Sequence, residues 1–153
     1  MCIGYGKVIL FNEHFVVYGL PAIASAIGAK TTALVEQRPG SGVEIKDERP
    51  ETKGYKTEKA DQQKESLDLM LKLMNIDTKS NGFRVTLAGD LVAASGVGAS
   101  AASCAAIARA FSEELGLKYP DDKINEVAYE GEKGYHGTPS GIDNTVITYG
   151  QPL

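Results

Sequence analysis

Lys7, Ser100, Glu132 and Asp143 are side chains of the types that moving a phosphoryl group requires. Such a transfer needs a cradle for phosphates, a cation, oxygen ligands for a metal ion, and a carboxylate that orients or deprotonates the attacking hydroxyl. The cradle is suggested by Ser95-Gly96-Val97-Gly98-Ala99-Ser100-Ala101, a small-residue loop that runs directly into ASAASCAAIARAFSEEL. That run has high helix propensity, and Gly116 follows it as a C-terminal stop. A helix opening on a bare loop presents unpaired N–H groups, which favour an anion such as a nucleotide phosphate. Close packing of small residues explains the same composition, so the loop alone leaves both readings open.

No Lys follows the glycines as in a Walker loop, so the cation must come from elsewhere, and Lys7 is the candidate. Ser100 falls in the first helical turn and, with Glu132, offers the oxygen ligands that Mg²⁺ prefers. Asp143 stands after the turn Gly137-Thr138-Pro139-Ser140-Gly141, placed either to orient an acceptor hydroxyl or simply to form the turn. Singly, Lys7 reads more simply as a solvated strand charge and Glu132 as a helix-surface carboxylate. His14 and His136 are equally ambiguous. The combination is what points to chemistry.

Elements must hold these residues in place. Lys7 to Phe11 and Phe15 to Tyr18 are apolar and rich in strand formers around the polar break Asn12-Glu13-His14, which predicts a hairpin. Pro21 to Ala29 is small and apolar, and Thr31 to Gln37 is strand-like. Gln37 to Gly42 is a turn. Val43 and Ile45 alternate with charges in a half-exposed strand. Asp47 to Lys64 is polar, with Pro50 and Gly54 as breakers, and reads as a mobile surface loop. Leu67, Met70, Leu71 and Met74 fall on one helical face, with the methionines as core filling. Phe83, Val85 and Leu87 form a strand leading into the glycine loop. A helix from Asp121 to about Gly134 turns Ile124, Val127 and Ala128 inward, and Thr145 to Tyr149 reads as a final strand. Strands in the first third with helices later predict an α+β or α/β layer.

At 153 residues the chain is about one domain long. A net charge of −4 gives no basic footprint for nucleic acid. Cys2 and Cys104 form neither a disulfide framework nor a zinc motif, which fits a reducing, cytoplasmic setting, and Cys104 reads as a small buried residue. The N-terminus lacks a secretion signal, and no apolar run approaches the length of a membrane span.

GKVILFNEHFVVYG (Gly6 to Gly19), SGVGASAA (Ser95 to Ala102) and EGEKGYHGTPSGIDNTVITYG (Glu130 to Gly150) resemble successive motifs of the GHMP kinases, and the third is particularly similar to the mevalonate kinase branch. The resemblance covers nearly the whole chain. It implies an N-terminal domain like the second domain of ribosomal protein S5, with the family's ferredoxin-like C-terminal domain absent from these 153 residues. It implies ATP on Ser95 to Ala101, Mg²⁺ on Ser100 and Glu132, and catalysis by Asp143 beside Lys7. Glu13 and His14, with Lys7 and Asp143, would line the substrate end, and Thr148 would lie near a strand closing the site. The implied reaction is phosphorylation of the primary hydroxyl of mevalonate, and a homodimer is a further expectation. Where the family has Gly before Glu-His, this chain has Asn12, which tolerates left-handed backbone. Ala99 replaces a serine of the family's loop, removing one hydroxyl that phosphate contact would use.

Overall fold

The two N-terminal strands, β1 (Cys2–Phe11) and β2 (Ile23–Arg38), are long and antiparallel. The computed structural model describes residues 1–12, 18–93 and 95–152. β3 (Gly42–Asp47) and β4 (Gly82–Gly89) complete a four-stranded sheet ordered β1-β2-β4-β3. β3 and β4 run parallel, which requires a crossover, and α1 (Tyr55–Glu58) and α2 (Ala60–Leu73) provide it. Three helices follow: α3 (Ala99–Glu114), α4 (Asp121–His136) and α5 (Ile142–Tyr149). α3 packs on β1 and β2, and α4 packs on α2, α3 and α5, giving a mixed α/β structure with a helical layer over one sheet.

α3 is the centre of the core. Twelve of its sixteen residues are buried, so it is apolar all round rather than amphipathic, and its alanines let neighbours approach closely. Phe111 on α3 meets Phe83 on β4 edge to face, with centroids 5.3 Å apart. Met70, Met74 and Cys104 are buried core residues, as their spacing and size predict.

Three local expectations are corrected. Thr145 to Tyr149 is helical, as part of α5, although its β-branched residues favour a strand. Gly141 caps this helix in a left-handed conformation, and burial of Val146, Ile147 and Thr148 outweighs local propensity. Thr148 therefore lies in a helix, not in a strand closing the site. The polar segment from Asp47 to Lys64 contains α1 and the start of α2, and the buried Arg49, paired with Asp47, fastens it to the start of α3. The partner of β1 is β2, which runs unbroken through most of the small apolar stretch into Thr31 to Gln37. Tyr18 lies in a turn, and the rest of the expected second strand of the hairpin falls outside the described residues. Asn12 adopts φ 64°, the left-handed backbone its side chain tolerates, and its amide donates to the Pro21 carbonyl at 2.8 Å.

Candidate functional site

Lys7 sits on β1 next to a register irregularity between Tyr5 and Gly6, a device that re-aims strand residues. Its side chain is 7% exposed, and its Nζ lies 3.0 Å from Asp143 Oδ1. Its backbone N–H donates to the Val97 carbonyl at 2.9 Å, fastening the strand to the glycine loop. Gly98 closes that loop at φ 75° and caps α3. A Cβ there would stand 2.9 Å from both Lys7 Cγ and Ile147 Cδ1, so only glycine brings the helix start this close to the lysine.

Glu132 and His136 lie four residues apart on the last turns of α4 and share a face. Glu132 is 1% exposed, and its Oε1 has no hydrogen-bond partner. Burial pushes its carboxyl up to about 7. The Ser100 hydroxyl opposes that shift, the Asp143 charge adds to it, and the Lys7 charge opposes it. His136 Nε2 is 3.3 Å from Ser100 Oγ and 3.9 Å from Glu132 Oε2. Asp143 stands in the first turn of α5, where the helix dipole favours its negative charge.

Two cavities meet here. One, of about 330 Å³, is lined by Tyr55, Gly96, Gly98, Ala99 and Ser100. The other, of about 350 Å³, is lined by Lys7, Glu132 and the turn from Thr138 to Ile142. His136 and Asp143 line both. The structure thus brings Lys7, Gly96, Gly98, Ala99, Ser100, Glu132 and Asp143 into one cleft, although they are scattered over most of the chain. Ser95 turns its hydroxyl back to the Val92 carbonyl at 2.6 Å. Val97 packs against the core, and Ala101 is fully buried. Glu13 and His14 lie outside the described residues. Tyr55 is a lining residue that the sequence reading missed, because its only local signal is one aromatic in a polar run.

Among the described residues, no group of three or more His, Cys, Asp or Glu forms a metal cage. Ser100 and Glu132 fit a different arrangement, in which the protein gives a hard ion few oxygens and phosphates and water supply the rest. The unbonded Glu132 Oε1 is the observation in favour of that fit.

A comparison of the sequence with protein families matches residues 63–151 to the GHMP kinases N terminal domain. Mevalonate kinase from Pyrococcus furiosus is 34% identical over 161 residues, covering 94% of this chain and 48% of that protein. The crystal structure of L. major mevalonate kinase in complex with R-mevalonate superposes with a TM-score of 0.95 at 46% identity, covering 98% of this chain and 46% of that one. Mevalonate kinase from methicillin-resistant Staphylococcus aureus MRSA252 gives 0.76 at 31% identity, covering 99% and 50%. The chain spans about half the length of these relatives. With the glycine loop, the Lys7–Asp143 pair and the buried Glu132 in one cleft, and with matches of this extent, the chain belongs to the GHMP kinase family.

Proposed function

We propose that this chain carries the nucleotide- and acceptor-binding residues of a mevalonate kinase, which transfers the γ-phosphoryl group of ATP to the primary hydroxyl of mevalonate. The observation that carries this reading is the Lys7–Asp143 pair, 3.0 Å apart, with Asp143 lining both compartments of the cleft. The loop from Ser95 to Ala101 would receive the phosphates at the α3 N-terminus. Asp143 would orient or deprotonate the alcohol, and Lys7 would hold the developing negative charge. Ser100 and Glu132 would hold Mg²⁺, which when bound neutralises phosphate charge. Glu13 and His14 would line the acceptor end.

In this reading the chain is an S5-like N-terminal domain, and a ferredoxin-like domain in the other half of the protein completes the cleft. Among the described residues no helix is long and apolar enough to cross a membrane, and a cytoplasmic location belongs to the same proposal. Exposed Leu10, Phe11 and Ile23, with Phe11 paired to Ile23 across the strands, support self-association as a homodimer.

The test measures MgATP binding by calorimetry, then ADP release with mevalonate, phosphomevalonate and galactose, on this chain and on the full-length protein. Turnover with mevalonate alone is expected from the full-length protein. Turnover of the sugar without mevalonate overturns the substrate assignment, and MgATP binding without turnover in either form makes the chain a nucleotide-binding module.

A further inference from the structure

A second polar cluster lies beside the cleft, away from the Lys7–Asp143 pair. Arg49, two residues beyond Asp47 at the end of β3, is 6% exposed. Its guanidinium grips Asp47 in a fork, Nε to Oδ1 at 3.0 Å and Nη2 to Oδ2 at 2.6 Å. Its remaining Nη1 donates to Ser103 Oγ and, at 3.4 Å, to the Ala99 carbonyl, both near the start of α3. Ser103 Oγ in turn donates to the Ala99 carbonyl at 2.8 Å. The Lys56 ammonium closes the strap by donating to the carbonyls of Asp47 at 2.9 Å and Arg49 at 2.6 Å. On the other side, Ala93, just before the glycine loop, donates its N–H to the Pro50 carbonyl at 3.0 Å.

The segment from Asp47 to Lys56 is therefore tied at one point to the approach of the glycine loop and at another to the first turns of α3. Tyr55 lies within this segment and faces Gly96, Gly98, Ala99 and Ser100 across the cavity of about 330 Å³. A buried ion pair is a weak source of net stability, because desolvating both charges offsets most of their attraction. A planar guanidinium fork does fix distance and angle together, which a single point charge does not.

We infer that Arg49, oriented by Asp47, is a positioning residue that sets the spacing between Tyr55 and the α3 N-terminus, and so the width of the compartment that receives the nucleotide. This inference rests on the kinase reading above. Arg49 lines neither the glycine-loop cavity nor the cavity holding Lys7 and Glu132, so its effect on nucleotide passes through α3 and Tyr55.

The experiment compares the full-length protein with its R49K and S103A variants. It uses calorimetric binding of MgATP and of R-mevalonate, circular dichroism for folding, and hydrogen exchange of the amides from 102 to 105, the first in α3 that are bonded to a helical carbonyl. R49K keeps the charge and loses the fork, so the dissociation constant for MgATP rises about tenfold, with about threefold for S103A, the scale of one charge-assisted hydrogen bond or less. R-mevalonate affinity stays unchanged, which a general loosening of the fold would not allow. Folded variants that bind MgATP as tightly as the parent, or that lose both ligands equally, overturn the inference, and if R49K does not fold, S103A decides alone. A full-length parent that binds no MgATP overturns the kinase reading instead. In that case the exchange data judge the strap: faster exchange from 102 to 105 in S103A supports it, and unchanged exchange removes it.

Discussion

Glu132 is a carboxylic acid held where its ionised form is poorly solvated, with one oxygen left unbonded. Its pKa is raised from the ordinary 4.5 to about 7 in the folded state, so between these values the unfolded chain ionises while the folded one keeps its proton. The resulting penalty on folding is absent below about 4.5, grows as pH rises through this window, and is complete above about 7. Glu132→Gln in the presence of a chelator should therefore raise unfolding free energy at pH 8 by roughly 2–3 kcal/mol, with the gain gone by about pH 4. Urea titrations across that range test it, and parallel pH curves for both proteins would sink the idea. For Asp143→Asn in the full-length protein, kcat should fall by orders of magnitude while MgATP binding persists, because an amide neither takes a proton nor carries the charge that pairs with Lys7. A near-parental kcat would remove Asp143 from that role. Singly these residues are ambiguous in sequence, and only their combination with Lys7 and Ser100, in motifs that resemble those of one family, makes them legible. Arg49 and Tyr55 are not legible, because both lie in a polar run and the groups they meet on α3 and the glycine loop are about 40 to 55 positions away.

The glycine loop and α3 were readable at the element scale, because alanine-rich helix propensity and burial point the same way there. α5 was misread because its local sequence favours a strand, and only Gly141 before it and the packing of Val146 and Ile147 after folding select the helix. The contact between α2 and α4 shows how packing decides. Gly134 on α4 lies so near α2 that a Cβ would stand 2.4 Å from the Ser66 backbone nitrogen and 2.6 Å from its Cα. Alanine in a helix interior normally gains about 1 kcal/mol over glycine, whereas overpacking against fixed backbone costs about 1–3 kcal/mol. With a Cβ this close to backbone the cost falls at the upper end of that range and the clash should win, so Gly134→Ala should destabilise by up to about 2 kcal/mol in urea unfolding. A stabilised variant would show that the two helices separate freely.

The pair at the centre of the cleft is held from a distance at the scale of the whole molecule. Lys7 belongs to β1 and Asp143 to α5, and nothing in sequence links those two elements. Arg109 on α3 links them in space: it donates to the Ile3 carbonyl on β1 at 2.7 Å, to the Thr148 carbonyl on α5 at 2.6 Å, and to Asp121 at the start of α4 at 2.8 Å. Each flank of the Lys7–Asp143 pair is thus pinned near its far end by one guanidinium, which only a side chain with several fixed donors can do. The Asp121 contact is largely exposed and contributes little. The carbonyl bonds matter more, since losing the donor strands two backbone acceptors at a packed junction. Arg109→Met should therefore cost about 2–3 kcal/mol and lower the melting temperature by roughly 5–10 °C, with Arg109→Lys recovering part by reaching one carbonyl. Differential scanning calorimetry reads the first effect. The second is a fall in kcat of the full-length enzyme larger than the fall in MgATP affinity, because the displaced elements carry Lys7 and Asp143 while the glycine loop stays on its own helix. A melting temperature within about 1 °C of the parent would mean that β1 and α5 are docked by apolar packing alone.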